Sequence, residues 1–179
     1  MAAIVDVPTI STERLDLVSI SPEWIEAQLS ERRDAAAEIS GLNIPDSWPD
    51  ERERYWLRIR DKAMRDGAEP QEWLMRAIGN RLTNEMLGRV GFHGSPVDEV
   101  AEIGYTVFEP HRRNGYAEES VRGLMEWAQE IKAVCRFRLS IGPDNQPSLQ
   151  LASKLGFTKT GDQMDELDGL EYVFDLDLR

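Results

Sequence analysis

Residues 14–20 run Arg14, Leu15, Asp16, Leu17, Val18, Ser19, Ile20, an alternation of polar and apolar positions that predicts a strand with one buried face. A helix follows at once. Ser21 suits its cap and Pro22 its first position, and Trp24, Ile25, Gln28 and Leu29 recur at helical spacing until Gly41 stops the pattern. Residues 42–49 hold two prolines and read as a loop. A second helix is predicted from near Pro49 through Tyr55, Trp56, Ile59 and Met64 to Gly67, with an Arg- and Glu-rich outer face.

From residue 71 the period shortens to about two. Residues 72–78 predict a strand, Gly79, Asn80 and Arg81 a turn, and residues 86–92 a partner strand, so a hairpin is expected. Residues 102–108 predict another strand, and residues 109–115 a polar, turn-rich loop. Beyond the loop, Ala117, Val121, Leu124, Ala128 and Ile131 line one helical face. Residues 134–141 read as a strand and 147–155 as a short helix ending at Gly156. Residues 157–159 and 170–178 read as closing strands around an acidic loop at 162–168. No internal repeat or linker interrupts the 179 residues, so the expectation is one α/β (α+β) domain over residues 1–179.

Composition narrows the function. Of all residues 41% are apolar, and five Trp, five Phe and four Tyr are too many for a disordered acidic chain. Basic residues number 21 against 33 acidic, a net charge of −12, which argues against nucleic acid as a partner. The single cysteine, Cys135, excludes an internal disulfide framework and a multi-cysteine zinc site, and no metal is expected. Residues 1–6 lack the basic start and apolar run of a signal peptide, and no 18-residue apolar stretch occurs, so no membrane span and a cytoplasmic location are expected.

The chemistry-bearing segment is the strand at 102–108, the basic loop and the helix after Gly115. A strand turning into a helix leaves the first helical amides unpaired, and those donors with the helix dipole favour an anion. Arg112 and Arg113 add positive charge there, and Gly115 lets main chain approach a bound group closely. Taken alone, Arg-x-x-Gly-x-Ala at 112–117 also suits a solvated turn.

Two further stretches bear on the choice. Glu102-Ile103-Gly104-Tyr105 leading into Arg112-Arg113-Asn114-Gly115-Tyr116-Ala117 resembles the first signature of the GNAT acyltransferase superfamily. Asn145 to Phe157, about thirty residues on, resembles the second, and the chain's opening (12–15) and closing (171–176) segments are similar to the ribosomal-protein N-acetyltransferase branch. The resemblance implies a mixed, mostly antiparallel sheet of about six or seven strands with splayed central strands and about four helices. It also implies acetyl-CoA as cosubstrate and direct transfer of its acetyl group to a primary amine in a ternary complex. The acceptor would be a small cationic amine or a protein N-terminus, and the protein a monomer or homodimer. The main chain of Tyr105, Thr106 and Val107 would pair with the pantetheine arm, Arg112, Arg113, Asn114, Gly115, Tyr116 and Ala117 would hold the pyrophosphate, and Asn145 would bond the arm from the other side. Asn145 also fits a helix N-cap.

An ammonium must lose a proton before it attacks a thioester, and the departing thiolate gains from a proton donor. Glu102 is the candidate base, or an exposed strand residue in an acidic chain. Ser148 is the candidate acid, or part of a helix cap. Many family members carry a tyrosine four residues before the Gly-Phe pair, where this chain has Ala152. That departure supports a second hypothesis, a non-catalytic acyl-CoA-binding or regulatory protein. His93 is a candidate for the acceptor side and His111 for phosphate or adenine, each with an exposed turn as the alternative. Trp24, Trp48 and Trp56 belong to the helical region over the acceptor, with Trp48 the candidate pocket wall.

Overall fold

The computed structural model describes residues 7–179; the reading of residues 1–6 lies outside that range. Eight strands form one sheet, β1 (Ile10–Ser11), β2 (Leu15–Ser19), β3 (Met75–Asn80), β4 (Met86–Phe92), β5 (Val100–Val107), β6 (Arg136–Ile141), β7 (Thr158–Asp165) and β8 (Gly169–Asp177), in the order β1-β2-β3-β4-β5-β6-β8-β7. Five helices accompany it, α1 (Pro22–Leu29), α2 (Arg33–Ser40), α3 (Glu51–Arg65), α4 (Tyr116–Lys132) and α5 (Gln146–Lys154). The fold is the mixed α/β class the sequence predicts, with more elements.

Each extra element has a local cause. Residues 21–41, read as one helix, form α1 and α2, because Glu31 takes a left-handed φ of 59° between them and the Arg32 amide folds back onto the Ala27 carbonyl at 2.8 Å. The Ser21 cap is as expected, with Oγ accepting from the Trp24 amide. The acidic loop predicted at 162–168 is largely strand. Only 166–168 turns, where Asp165 accepts from the Leu167 and Asp168 amides at 2.7 and 2.8 Å. β7 is an edge strand open to solvent, so its polar residues mask the strand period.

Alternation along the strands divides two cores. Leu15, Leu17, Ile78, Val90, Ile103, Phe137 and Leu139 meet Val121, Leu124 and Ala128 of α4. On the opposite face Ile20, Met75 and Ala77 meet Trp24, Ile25 and Leu57 of the α1–α3 layer. Trp48 differs from the expectation: it is 5% exposed, packs on Trp24 and Phe108 with ring centroids 5.4 and 6.3 Å away, and lines neither of the two cavities described below.

The sheet comes apart at its centre. β5 and β6 are parallel and pair only at Val100–Arg136, Ala101–Phe137 and Glu102–Arg138, although β5 continues to Val107 and β6 to Ile141. The unpaired ends form a wedge that opens toward α4 and α5.

Candidate active site

A cavity of about 490 Å³ fills the wedge. Tyr105, Thr106, Val107, His111, Arg112, Arg113, Tyr116, Ala117, Asn145 and Ser148 are among the residues that line it, and no carboxylate does. The strand pattern decides which main-chain groups face it. The Glu102 carbonyl accepts from the His93 amide and the Phe108 amide donates to Leu87, so the even-numbered residues of β5 bond toward β4. Alternation then turns the main chain of Ile103, Tyr105 and Val107 toward the gap, whereas that of Thr106 is spent on Arg89. The Val107 carbonyl accepts from Arg112 Nε at 3.0 Å.

At the wide end of the wedge the chain turns into α4 through two left-handed residues, Arg113 at φ 64° and Gly115 at φ 78°. No side chain caps α4, so its first amides remain available to an anion. Asn114 does not line the cavity; its side-chain amide donates to the carbonyls of His111 and Arg112 and holds the turn closed. Behind the turn stands a clamp that joins the opening segment at 12–15 to α4, a pairing the sequence does not signal. Arg14 donates to the Asn114 carbonyl at 3.0 Å and lies over the Tyr116 ring at 4.8 Å. Glu119 anchors Arg14, accepting from its amide and Nε at 2.7 Å each, and accepts from Thr12 Oγ1 at 2.6 Å. Burial pushes the Glu119 carboxyl up, but the Thr12 and Arg14 hydrogen bonds outweigh it and hold the group below its ordinary range.

Across the wedge, Asn145 Oδ1 accepts from the Ser148 amide and caps α5, so the capping alternative for Asn145 is realised while its side chain still lines the cavity. Ser148 caps nothing through its hydroxyl; it lies beside the Tyr105 hydroxyl, which is buried without a well-formed hydrogen bond. Burial pushes the Tyr105 phenol up, and Ser148 opposes that push. Ala152 is fully buried, so no large side chain fits at that position without displacing core.

Glu102 is not in this cavity. Its side chain leaves the opposite face of β5 and lines a second cavity of about 410 Å³, with His93, Glu69, Asp98, Arg136 and Arg138. There its Oε1 accepts from Ser140 Oγ at 2.6 Å and stands 3.6 Å from His93 Nδ1. Gln163 Nε2 in turn donates to Ser140 Oγ at 3.1 Å and to Glu171 at 3.0 Å. Arg138 donates through Nε and Nη2 to Asp175, at 2.8 and 3.1 Å. Alternation along β6 sets Ser140 on this face, but nothing in the sequence pairs it with Glu102 or Gln163.

His93 sits on the glycine step of β5. A Cβ built on Gly104 would lie 2.6 Å from His93 Nε2, so only glycine leaves room for the ring there. Burial pushes the imidazole below its ordinary value. Glu102 opposes this, Arg60 and Arg89 add to it, and Glu171 opposes it. Since 54% of the side chain is open to the cleft, water screens part of the effect. Arg60 is itself held at about 10, chiefly by burial and then by neighbouring Arg89, against Glu53. In α3, Glu53 accepts from Arg89 Nε at 2.8 Å, and Arg52 is paired with Asp168 at the β7–β8 turn.

Residues 14–158 match a family model described as the acetyltransferase (GNAT) domain. An N-acetyltransferase 9-like protein of Nematostella vectensis is 34% identical over 142 residues, covering 78% of this chain and 65% of its own length. An uncharacterized N-acetyltransferase of Bacillus subtilis, YjdG, is 29% identical over 154 residues, covering 83% of this chain and 88% of its own. Among solved structures, a Vibrio cholerae protein assigned as a ribosomal-protein-serine acetyltransferase superposes with a TM-score of 0.68 at 19% identity, over 97% of this chain and 99% of that one. The chain therefore spans just under two thirds of the Nematostella protein. Among the described residues no helix is long and apolar enough to cross a membrane.

Proposed function

Since the chain belongs to the GNAT acetyltransferase family, a class of enzymes that take acetyl-CoA as acyl donor, we propose that it transfers the acetyl group directly to a primary amine, either a small cationic amine or a protein N-terminus. The observation that carries this reading is the continuity of the β5–β6 wedge with the uncapped N-terminus of α4. One end offers strand edges to an amide-bearing arm, and the other offers amides and arginines to a pyrophosphate.

In this reading the main chain of Tyr105 and Val107 bonds the pantetheine arm and Thr106 contributes only its place in the strand. The amides from Arg113 to Ala117 hold the pyrophosphate, Arg112 and Arg113 add charge, and Asn114 keeps the turn in shape. The wedge closes at Glu102–Arg138, so the thioester at the tip of the arm comes to rest beside Ile103 and Gly104. The amine arrives from the other face of the sheet, where the carboxylate of Glu102 lies at the closed end. Its lone pair attacks the carbonyl carbon, the C–S bond breaks with its electron pair left on sulfur, and one amine proton leaves toward the acceptor face. Ser148, on the donor face with Tyr105 at its side, hydrogen-bonds the thiolate and relays to it a proton that solvent replaces on the hydroxyl. Acid and base thus work from opposite faces, as a transfer through the sheet requires.

The test is release of free CoA from acetyl-CoA with spermidine, kanamycin and a tetrapeptide bearing a free N-terminus, followed by mass spectrometry of the products. Amine-dependent release with a 42 Da gain on the acceptor, the mass of an added acetyl group at about one per transfer, is expected. Binding of acetyl-CoA without release to any amine would replace the enzyme reading by that of an acyl-CoA-binding protein.

A further inference from the structure

On the proposed transfer reading, we infer that His93, not Glu102, takes the proton from the amine, and that Glu102 is a positioning residue that orients the His93 ring through Nδ1. The geometry of the wedge carries this. The reactive tip cannot pass the last paired residues, Glu102 and Arg138, and so must stop at the next step of β5, which is Gly104 on the acceptor face. The atom that occupies the acceptor face of Gly104 is His93 Nε2. Glu102 stands on the other side of the ring, 3.6 Å from Nδ1, with the same oxygen already accepting from Ser140 at 2.6 Å. At 3.6 Å the carboxylate stands just beyond hydrogen-bond length from Nδ1, and its charge there favours the proton on Nδ1 and so the tautomer that keeps Nε2 unprotonated. Chain order supports the pairing: His93 directly follows β4, and its amide donates to the Glu102 carbonyl at 2.9 Å, so the two residues are locked in register.

Burial is the main cause that favours the neutral ring. Arg89 of β4 and Arg60 of α3 disfavour imidazolium. Glu102 of β5 and Glu171 of β8 oppose them, and Asp165 of β7 also feels the ring. The net direction, below the ordinary histidine value, leaves His93 an unprotonated base at neutral pH. In the step itself the amine nitrogen bonds to the carbonyl carbon, the C–S pair leaves on sulfur, and the amine proton passes to His93 Nε2. From there solvent takes it, through the open half of the side chain.

His93→Ala and Glu102→Gln test the assignment. With whichever of spermidine, kanamycin or tetrapeptide the wild type acetylates, His93→Ala should lower kcat by about a hundredfold or more, leave the KM for acetyl-CoA unchanged, and regain part of the rate with added imidazole. Glu102→Gln should keep an acid limb in its pH–rate profile, moved to lower pH, because a carboxylate that raises the His93 value has gone. Loss of the acid limb in Glu102→Gln, or full activity of His93→Ala, overturns the assignment and leaves the transfer reading standing. A wild type that acetylates none of the three amines overturns both. The chain has only two histidines, so ring NMR titration gives a readout independent of turnover. One of two signals should titrate below the ordinary histidine value and fall further in Glu102→Gln. Two unperturbed signals that ignore the substitution contradict the pairing.

Discussion

The two cavities lie along the same strand, β5, and are built from different materials. The donor side is made of main chain: strand edges at Tyr105 and Val107, two left-handed residues, and the open start of α4, with Arg112 and Arg113 and no carboxylate among its lining residues. The acceptor side is made of side chains from many elements, with Glu69, Asp98 and Glu102 facing Arg136 and Arg138. A net charge of −12 is thus unevenly spent: no acid lines the cavity where anionic phosphates would lie, and the two in the first turn of α4, Glu118 and Glu119, are paired with Lys154 and Arg14. A main-chain site depends on backbone conformation, whereas a side-chain site depends on which residues happen to meet. Substitutions should therefore fail differently on the two sides.

The largest effect is expected at the donor turn. Gly115→Val forces a β-branched residue into φ near 78°, which costs roughly 1–2 kcal/mol and displaces the amides the pyrophosphate would use. Acetyl-CoA affinity by calorimetry should fall about five- to thirtyfold. Gly41→Val sharpens the comparison, since Gly41 has a similar φ of 70° at the end of α2. It should cost similar stability and leave acetyl-CoA affinity alone. Equal affinity in Gly115→Val would show that the turn does not hold the donor.

The next effect concerns the clamp behind that turn. Glu119 is held below its ordinary value, so its carboxylate adds stability above the unfolded pKa of about 4.3, and that contribution is lost as pH falls through the lower, folded value. Glu119→Gln should lower stability at pH 7 by about 1–2 kcal/mol and flatten the loss of Tm between about pH 5 and 3. Unchanged acid sensitivity would mean that the Thr12 and Arg14 hydrogen bonds do not bind the carboxylate in solution.

The same contrast explains what the sequence made legible. Helix caps, the strand–turn–helix at 102–117 and the Asn145 turn rest on local residue preferences, and a local pattern can be read without a structure. The break at Glu31 could not be read so, because glutamate seldom takes a left-handed φ and its neighbours keep helical spacing. β7 hid because an edge strand wet on both faces has no apolar period. Arg14 and Glu119 are 105 residues apart, and Ser140 and Glu102 are 38 apart; such pairs exist only once the sheet is assembled. Trp48 misled for a related reason: a tryptophan between a serine and a proline looks like a pocket wall until the α1–α3 layer closes over it.

The smallest effect should separate stability from acceptor handling. Arg52 of α3 pairs with Asp168 of the β7–β8 turn, but the two side chains are 64% and 37% exposed, so the pair contributes less than about 1 kcal/mol. Arg52→Ala should accordingly move Tm by no more than about 2–4 °C. The pair nevertheless ties α3 to the β7–β8 hairpin, and Asp165, at the end of β7, feels the charges of both His93 and Arg52. The KM for the acetylated amine should therefore change while acetyl-CoA affinity does not, because no group of the donor wedge touches this bridge. A shift in acetyl-CoA affinity would mean that the two sides are mechanically coupled through α3, and the division between a main-chain donor site and a side-chain acceptor site would have to be drawn elsewhere.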